Sequence, residues 1–238
     1  MKKKDISGIL FSALIAICAY FLGKKLPVIG GPVFGILFGM ILNNFNRPES
    51  FESGIKFTSK KVLQLAVVLL GFGLNLGEII VVGKSSLLII LSTISTALII
   101  SFVAAKILKI DSDVATLVGV GSSICGGSAI AATAPVINAK DEDIATSISV
   151  IFLFNIIAAL IFPTLGVKLG MTHTGFGMWA GTAINDTSSV VAASGTWSTM
   201  FNDDTALNYA TIVKLTRTLA IIPITLVLGI IKSKENTE

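Results

Sequence analysis

Two basic residues sit where a membrane helix has no ordinary use for them. Lys214 and Arg217 stand three positions apart in TIVKLTRTLAIIPITLVLGII, so they share one side of a helix. The apolar run after Arg217 is fourteen residues long, too short to cross a bilayer alone. A crossing over 206–231 therefore carries both charges inward. An intramembrane cation costs at least about 2.5 kcal/mol and turns toward a pathway or a partner. Snorkelling to the interface is the competing account, stronger for Lys214 than for Arg217.

One acidic residue answers them. Asp186 lies mid-segment in GTAINDTSSVVAAS, beside Asn185 and ahead of Thr187, Ser188 and Ser189. A third stretch, GSSICGGSAIAATAP at 121–135, places Gly126 and Gly127 and several hydroxyls inside an apolar segment. Backbone that leaves the helix at membrane depth is tolerated only when buried in protein or lining a wet cavity. A half-helix starting near Ser128 exposes N–H groups and a partial positive charge, a natural place for an anion. Close packing of small residues between helices is the plainer account of such a stretch.

These residues need elements to hold them, and the composition says which. The chain of 238 residues is 53% hydrophobic and only 13% charged, about half the charge of a soluble domain. Apolar runs of bilayer length recur at 7–23, 27–44, 62–80, 86–107, 113–137, 143–165, 173–198 and 206–231. The fold class expected is an all-α polytopic membrane protein, residues 1–238 forming one integral membrane domain. About eight segments are expected, two of them, 113–137 and 173–198, broken or re-entrant. The basic start and first apolar run lack a small-x-small cleavage pattern and read as a retained helix.

The net charge of +4 is a topology signal rather than a nucleic-acid footprint. With the N-terminus in the cytoplasm, twelve basic residues fall on the cytoplasmic side. Four (Lys24, Lys25, Lys84 and Lys140) fall on the other, a positive-inside bias that puts both termini in the cytoplasm. Cys18 and Cys125 lie in different apolar segments and His173 is the single histidine, so neither a disulfide framework nor a metal site is indicated. No cofactor is expected.

The two irregular segments align with each other. Residues 121–134, GSSICGGSAIAATA, and 181–194, GTAINDTSSVVAAS, match at Gly121/Gly181, Ile124/Ile184, Ser128/Ser188 and Ala132/Ala192. A repeated pair of broken helices points to a transporter site near the bilayer midplane. Asn75 and Asn155 read as structural hydrogen-bonding residues, Pro163 and Pro223 as kinks, and Trp179 and Trp197 as interfacial anchors.

VGVGSSICGGSAIAATAPVI, GTAINDTSSVVAAS and VKLTRTLAIIP, in this order and spacing, resemble the YeiH-type family of bacterial inner-membrane proteins, named as sulfate exporters. LLGFGLNLGEI and IGGPVFGILFGMILNN look like the same family. The resemblance implies kinship with the sodium/proton antiporter and bile-acid symporter superfamily, whose folds pair inverted repeats with crossed, broken helices. It places Gly126, Gly127 and Ser128 in a broken helix and Asp186, Lys214 and Arg217 at matching motif positions. Many members have His-Asp where this chain has Asn185-Asp186. Members commonly carry further C-terminal helices, so the inverted repeat is expected to be incomplete or completed by oligomerisation.

The expected function is secondary transport of a small anion, with sulfate or a sulfonate as the class the resemblance implies. Ser122, Ser123, Cys125, Gly126, Gly127, Ser128, Lys214 and Arg217 form the expected anion site. Asn185, Asp186, Ser188 and Ser189 form the expected site for a coupling proton or sodium ion. The rival readings are a sodium or proton antiporter using Asp186 and a membrane assembly subunit without transport. An intramembrane hydrolase using Ser128 and Lys214 lacks any further motif, so no enzyme is expected. The partners expected are the anion, the coupling ion, the lipid bilayer and a second copy of the chain, in a bacterial inner membrane.

Overall fold

Among the described residues, four stretches have the length and apolarity to cross a bilayer: Ile6–Lys25, Leu76–Leu108, Asp141–Lys168 and Thr205–Ile230. They are seen in a computed structural model that describes residues 5–26, 30–43 and 48–235, in which the regular structure of the described residues is all helical. The helices are α1 (Asp5–Lys25), α2 (Gly31–Asn43), α3 (Glu49–Phe57), α4 (Leu63–Phe72), α5 (Leu76–Leu108) and α6 (Ser112–Ser123). They continue as α7 (Gly127–Ile137), α8 (Asp141–Lys168), α9 (His173–Ala183), α10 (Thr187–Phe201), α11 (Thr205–Thr218) and α12 (Ile221–Glu235). A π-helical turn, Thr58–Val62, joins α3 to α4.

Both irregular segments are broken helices. The 113–137 segment is α6 and α7, separated by Ile124, Cys125 and Gly126; the 173–198 segment is α9 and α10, separated by Ile184, Asn185 and Asp186. The basic segment 206–231 is also interrupted, at Leu219 and Ala220 between α11 and α12. Pro223 accordingly falls in the first turn of α12, where its missing N–H costs no helical bond, and is not a mid-helix kink. Pro163 lies inside an unbroken α8.

Three expectations are corrected. Segments 62–80 and 86–107 do not flank a loop at Lys84. The chain breaks earlier, at Gly73–Asn75, where the Asn75 side chain accepts from Gly77 N at 2.8 Å and starts α5. Nothing in VVGKSS supplies a stop, so α5 runs through Lys84 for 33 residues, and the topology tally loses that lysine as a loop charge. The 62–80 segment is thereby reduced to the ten-residue α4 and the first turn of α5. Trp197 is a core residue, 1% exposed and stacked on Phe176 with centroids 4.1 Å apart. It is no interfacial anchor.

Burial follows the helical period. In α5 the buried residues Val82, Ser86, Ile90 and Ile94 recur every four positions, while Leu88, Leu91, Ile99 and Phe102 are exposed. That is one inward stripe on a helix whose outer face is largely apolar, as a bilayer permits. The inner layer is α9 against α11, with α10 packed on α8 and α11, α6 on α5 and α8, and α7 beside α12. The α9–α11 seam is close: a Cβ at Gly177 would stand 2.9 Å from Ala206 O, and one at Gly181 2.8 Å from Ala210 O.

Candidate functional site: a crossover of two broken helices

Gly126 makes the first break. Its φ of 70° and ψ of −127° lie in a region that only glycine occupies readily. The chain thereby leaves α6 after a wide turn, Gly126 N donating to Gly121 O at 2.9 Å, and re-enters helix at Gly127. The second break needs no such residue. Ile184 and Asp186 are extended, with φ of −86° and −91°.

The two cations of α11 lie at these breaks and are almost wholly buried, Lys214 at 0% exposure and Arg217 at 2%. The Lys214 ammonium donates to Ile124 O at 2.7 Å and to Ile184 O at 3.2 Å. Arg217 Nε donates to Ser123 O at 2.7 Å, while its two terminal nitrogens donate to Ser122 O and Thr182 O. All five acceptors are carbonyls at or just past the C-terminal ends of α6 and α9, the ends that carry partial negative charge. Each such bond to a charged donor contributes about 1.5–3 kcal/mol, set against a desolvation cost of several kcal/mol per cation.

The acceptors are paired by the sequence repeat. Ile124 and Ile184 are equivalent in the alignment of 121–134 with 181–194, and so are Ser122 and Thr182. Each cation therefore bridges equivalent points of the two breaks.

Among the expected site residues, Lys214, Arg217, Ser122 and Ser123 do come together. Their chemistry differs from the expectation, because Ser122 and Ser123 enter through main-chain carbonyls rather than as hydroxyl donors. The Ser123 hydroxyl is itself used within α6, donating to Val120 O at 3.0 Å. Cys125 is buried, with Lys214, Ala129 and Ser128 among its neighbours. Gly127 and Ser128 open α7, and Gly126 offers no side chain to cap it.

At α10 the arrangement is the reverse. Asp186 is the N-cap: its carboxylate accepts from Ser189 N at 3.2 Å and from the hydroxyls of Ser188 and Ser189. With Ser188 and Ser189 it lines a cleft of about 590 Å³ walled by α2 and by Phe152 and Ile156 of α8. Asn185 contributes its main-chain N–H rather than its side chain, donating to Asn155 Oδ1 at 2.9 Å. A second cleft, of about 350 Å³, reaches Arg217 past the hydroxyl residues Ser92, Thr93 and Thr96 of α5.

Asn155 is the site residue whose role the sequence undervalued. It is 1% exposed, and its Nδ2 has no hydrogen-bond acceptor among the described residues. The bond from Asn185 N fixes which side-chain atom is oxygen, since a flipped amide would set donor against donor. A lone Asn in IFLFNIIAAL was the available signal. Outside the crossover, His173 Nδ1 accepts from Trp197 Nε1 at 2.9 Å. Its Nε2 lies 3.9 Å from Asp203, whose carboxyl is held below the usual range chiefly by hydrogen bonds from Thr205.

A family described as conserved hypothetical protein 698 matches residues 7–238. The chain belongs to that family. A UPF0324 membrane protein of Fusobacterium nucleatum is 60% identical over 233 residues, which is 97% of this chain and 67% of that protein. One of Streptococcus agalactiae is 60% identical over 235 residues, 98% and 70% of the respective chains. One of Streptococcus mutans is 60% identical over 228 residues, 95% and 66%. The chain thus spans about two thirds of the length of these relatives. No solved structure matches it. As a member of the conserved hypothetical protein 698 family it is a bacterial multi-pass membrane protein, with two buried cations, Lys214 and Arg217, at a crossover of broken helices.

Proposed function

We propose that the chain is a secondary transporter of a small anion, with sulfate or a sulfonate as the class implied by the resemblance described above. One observation carries this reading: two buried cations on α11 satisfy the carbonyl ends of two broken helices at equivalent positions. The negative ends of the half-helices are thereby neutralised by the protein itself. What remains for a solute is the positive, N–H side of the crossover, where Gly127, Ser128 and the start of α10 lie.

Lys214 and Arg217 contribute to anion binding through their field rather than as first ligands. Lys214 has three N–H donors and Arg217 five, of which two and three are used on carbonyls. In this reading Asp186, with Asn185, Ser188 and Ser189, handles the coupling proton or sodium ion. The working form is a homo-oligomer in a bacterial inner membrane with both termini in the cytoplasm.

The test is exchange of radiolabelled sulfate by purified protein in proteoliposomes, with and without a sodium gradient. Saturable sulfate exchange is the expected result. A second reading, a sodium or proton antiporter, is favoured by the opening of the Asp186 carboxylate onto the larger cleft. It predicts sodium-driven proton movement with no sulfate flux, which would displace the anion reading.

A further inference from the structure

The two half-helices α7 and α10 begin at equivalent positions of the repeat but are capped differently. Aligned at the sixty-residue offset, Gly126 corresponds to Asp186. At α10 the protein places its own carboxylate on the helix N-terminus. At α7 the corresponding residue is a glycine with no side chain, and of the next two Gly127 is half-buried and Ser128 exposed.

A second feature points to the same spot. A Cβ built at Gly126 would stand 3.7 Å from Asn155 Nδ2 and 3.7 Å from Asn185 Cβ. The buried amide donor that lacks an acceptor therefore lies beside the N-cap that has no side chain. A buried amide N–H without an acceptor costs about 1–3 kcal/mol, and helix N-termini attract anions. One oxyanion oxygen would satisfy both.

We propose that an oxygen of the transported solute binds at the start of α7, between Asn155 Nδ2 and the main-chain N–H groups of Gly127 and Ser128. It takes there the place that the Asp186 carboxylate takes at α10. This inference rests on the anion reading and names its ligand chemistry: an oxyanion head, as in sulfate, a sulfonate or a carboxylate, and not a halide. Phe152 is the gatekeeper. It lines the Asp186 cleft, and its ring edge is 3.4–3.6 Å from where a Gly127 Cβ would be. The solute enters from that cleft as the ring turns aside.

Asn155→Asp keeps an oxygen to accept from Asn185 N and, assayed at a pH where the carboxyl is ionised, replaces the amide donor by an acceptor that repels an oxyanion. Sulfate and methanesulfonate, at constant sodium and ionic strength and against chloride, are titrated by thermal shift in detergent and by exchange in proteoliposomes. Asn155→Asp should bind either oxyanion about tenfold or more weakly, and its melting temperature without oxyanion reports separately what burying the carboxyl costs the fold. Phe152→Trp, at a half-exposed position that tolerates the larger ring, gives a local readout should Asn155→Asp fail to fold. Its emission should change saturably with sulfate and not with chloride. Wild-type exchange with unaltered affinity in Asn155→Asp, or a Phe152→Trp emission blind to sulfate, overturns this site alone. Absence of sulfate and methanesulfonate exchange in the wild type overturns the anion reading and the site with it.

Discussion

Ile124 and Ile184, sixty positions apart, offer their main-chain oxygens to a single ammonium group, that of Lys214, at 2.7 and 3.2 Å. The relationship ties the two breaks to each other through a third element, α11. It also changes what the buried cations are for. They hold the helix ends in register, so the field proposed to act on a solute comes from groups that are also structural ties.

Substitutions at the cations should therefore be structural as well as functional. Lys214→Met leaves two buried carbonyls without a donor, at about 1–3 kcal/mol each. Arg217→Lys replaces a fork that reaches three carbonyls with one ammonium. Both variants should lose thermal stability in detergent, Lys214→Met by about 2–6 kcal/mol, alongside loss of transport. A Lys214→Met protein as stable as the wild type would contradict the bonding pattern.

Gly126 and Gly170 both have positive φ, at 70° and 64°, yet their alanine variants should differ. At Gly170 an added methyl meets open space, so Gly170→Ala carries only the left-handed backbone cost of about 1–2 kcal/mol. At Gly126 the methyl would approach Ile151 Cγ2 to 3.1 Å, on top of a ψ that alanine disfavours more strongly. Gly126→Ala should show the larger loss of melting temperature and should abolish exchange. Equal losses would argue against the backbone geometry at the first break.

Asp186→Asn decides between the two transport readings. Asparagine caps a helix about as well as aspartate, so α10 should remain intact and stability should change by less than about 1 kcal/mol. A carrier that binds its anion at α7 should keep measurable sulfate exchange, with altered dependence on proton or sodium gradients. An antiporter whose cargo sits on the carboxylate should lose all movement. Flux in liposomes under each gradient gives the answer.

Much of this site was legible because its devices are side chains or glycines. The Gly126-Gly127 pair marked the first break, and Asp186 the second. The match of GSSICGGSAIAATA with GTAINDTSSVVAAS turned out to extend to which carbonyls share a donor. The role of Lys214 and Arg217 was hidden for a physical reason. Their partners are main-chain oxygens, which every residue possesses, so no residue type announces them. Asn155 was visible as a polar residue in an apolar helix, but its partner lies 30 positions away, and its unmet donor is a fact of geometry alone. The course of α5 through Lys84 was missed because a charge was given the weight of a loop. A helix of 33 residues is longer than the bilayer core and can carry a lysine near one end.

The seam between α9 and α11 has a bearing on how the chain tolerates change. At Gly177 and Gly181 the neighbouring backbone sits within 3 Å of where any side chain would begin. Three residues beyond Gly181, Ile184 supplies a carbonyl to Lys214 of the facing helix. The reach of that lysine is set by what two positions omit. A single methyl there would wedge the ammonium away from its acceptor, so the site's most vulnerable points carry no functional group at all.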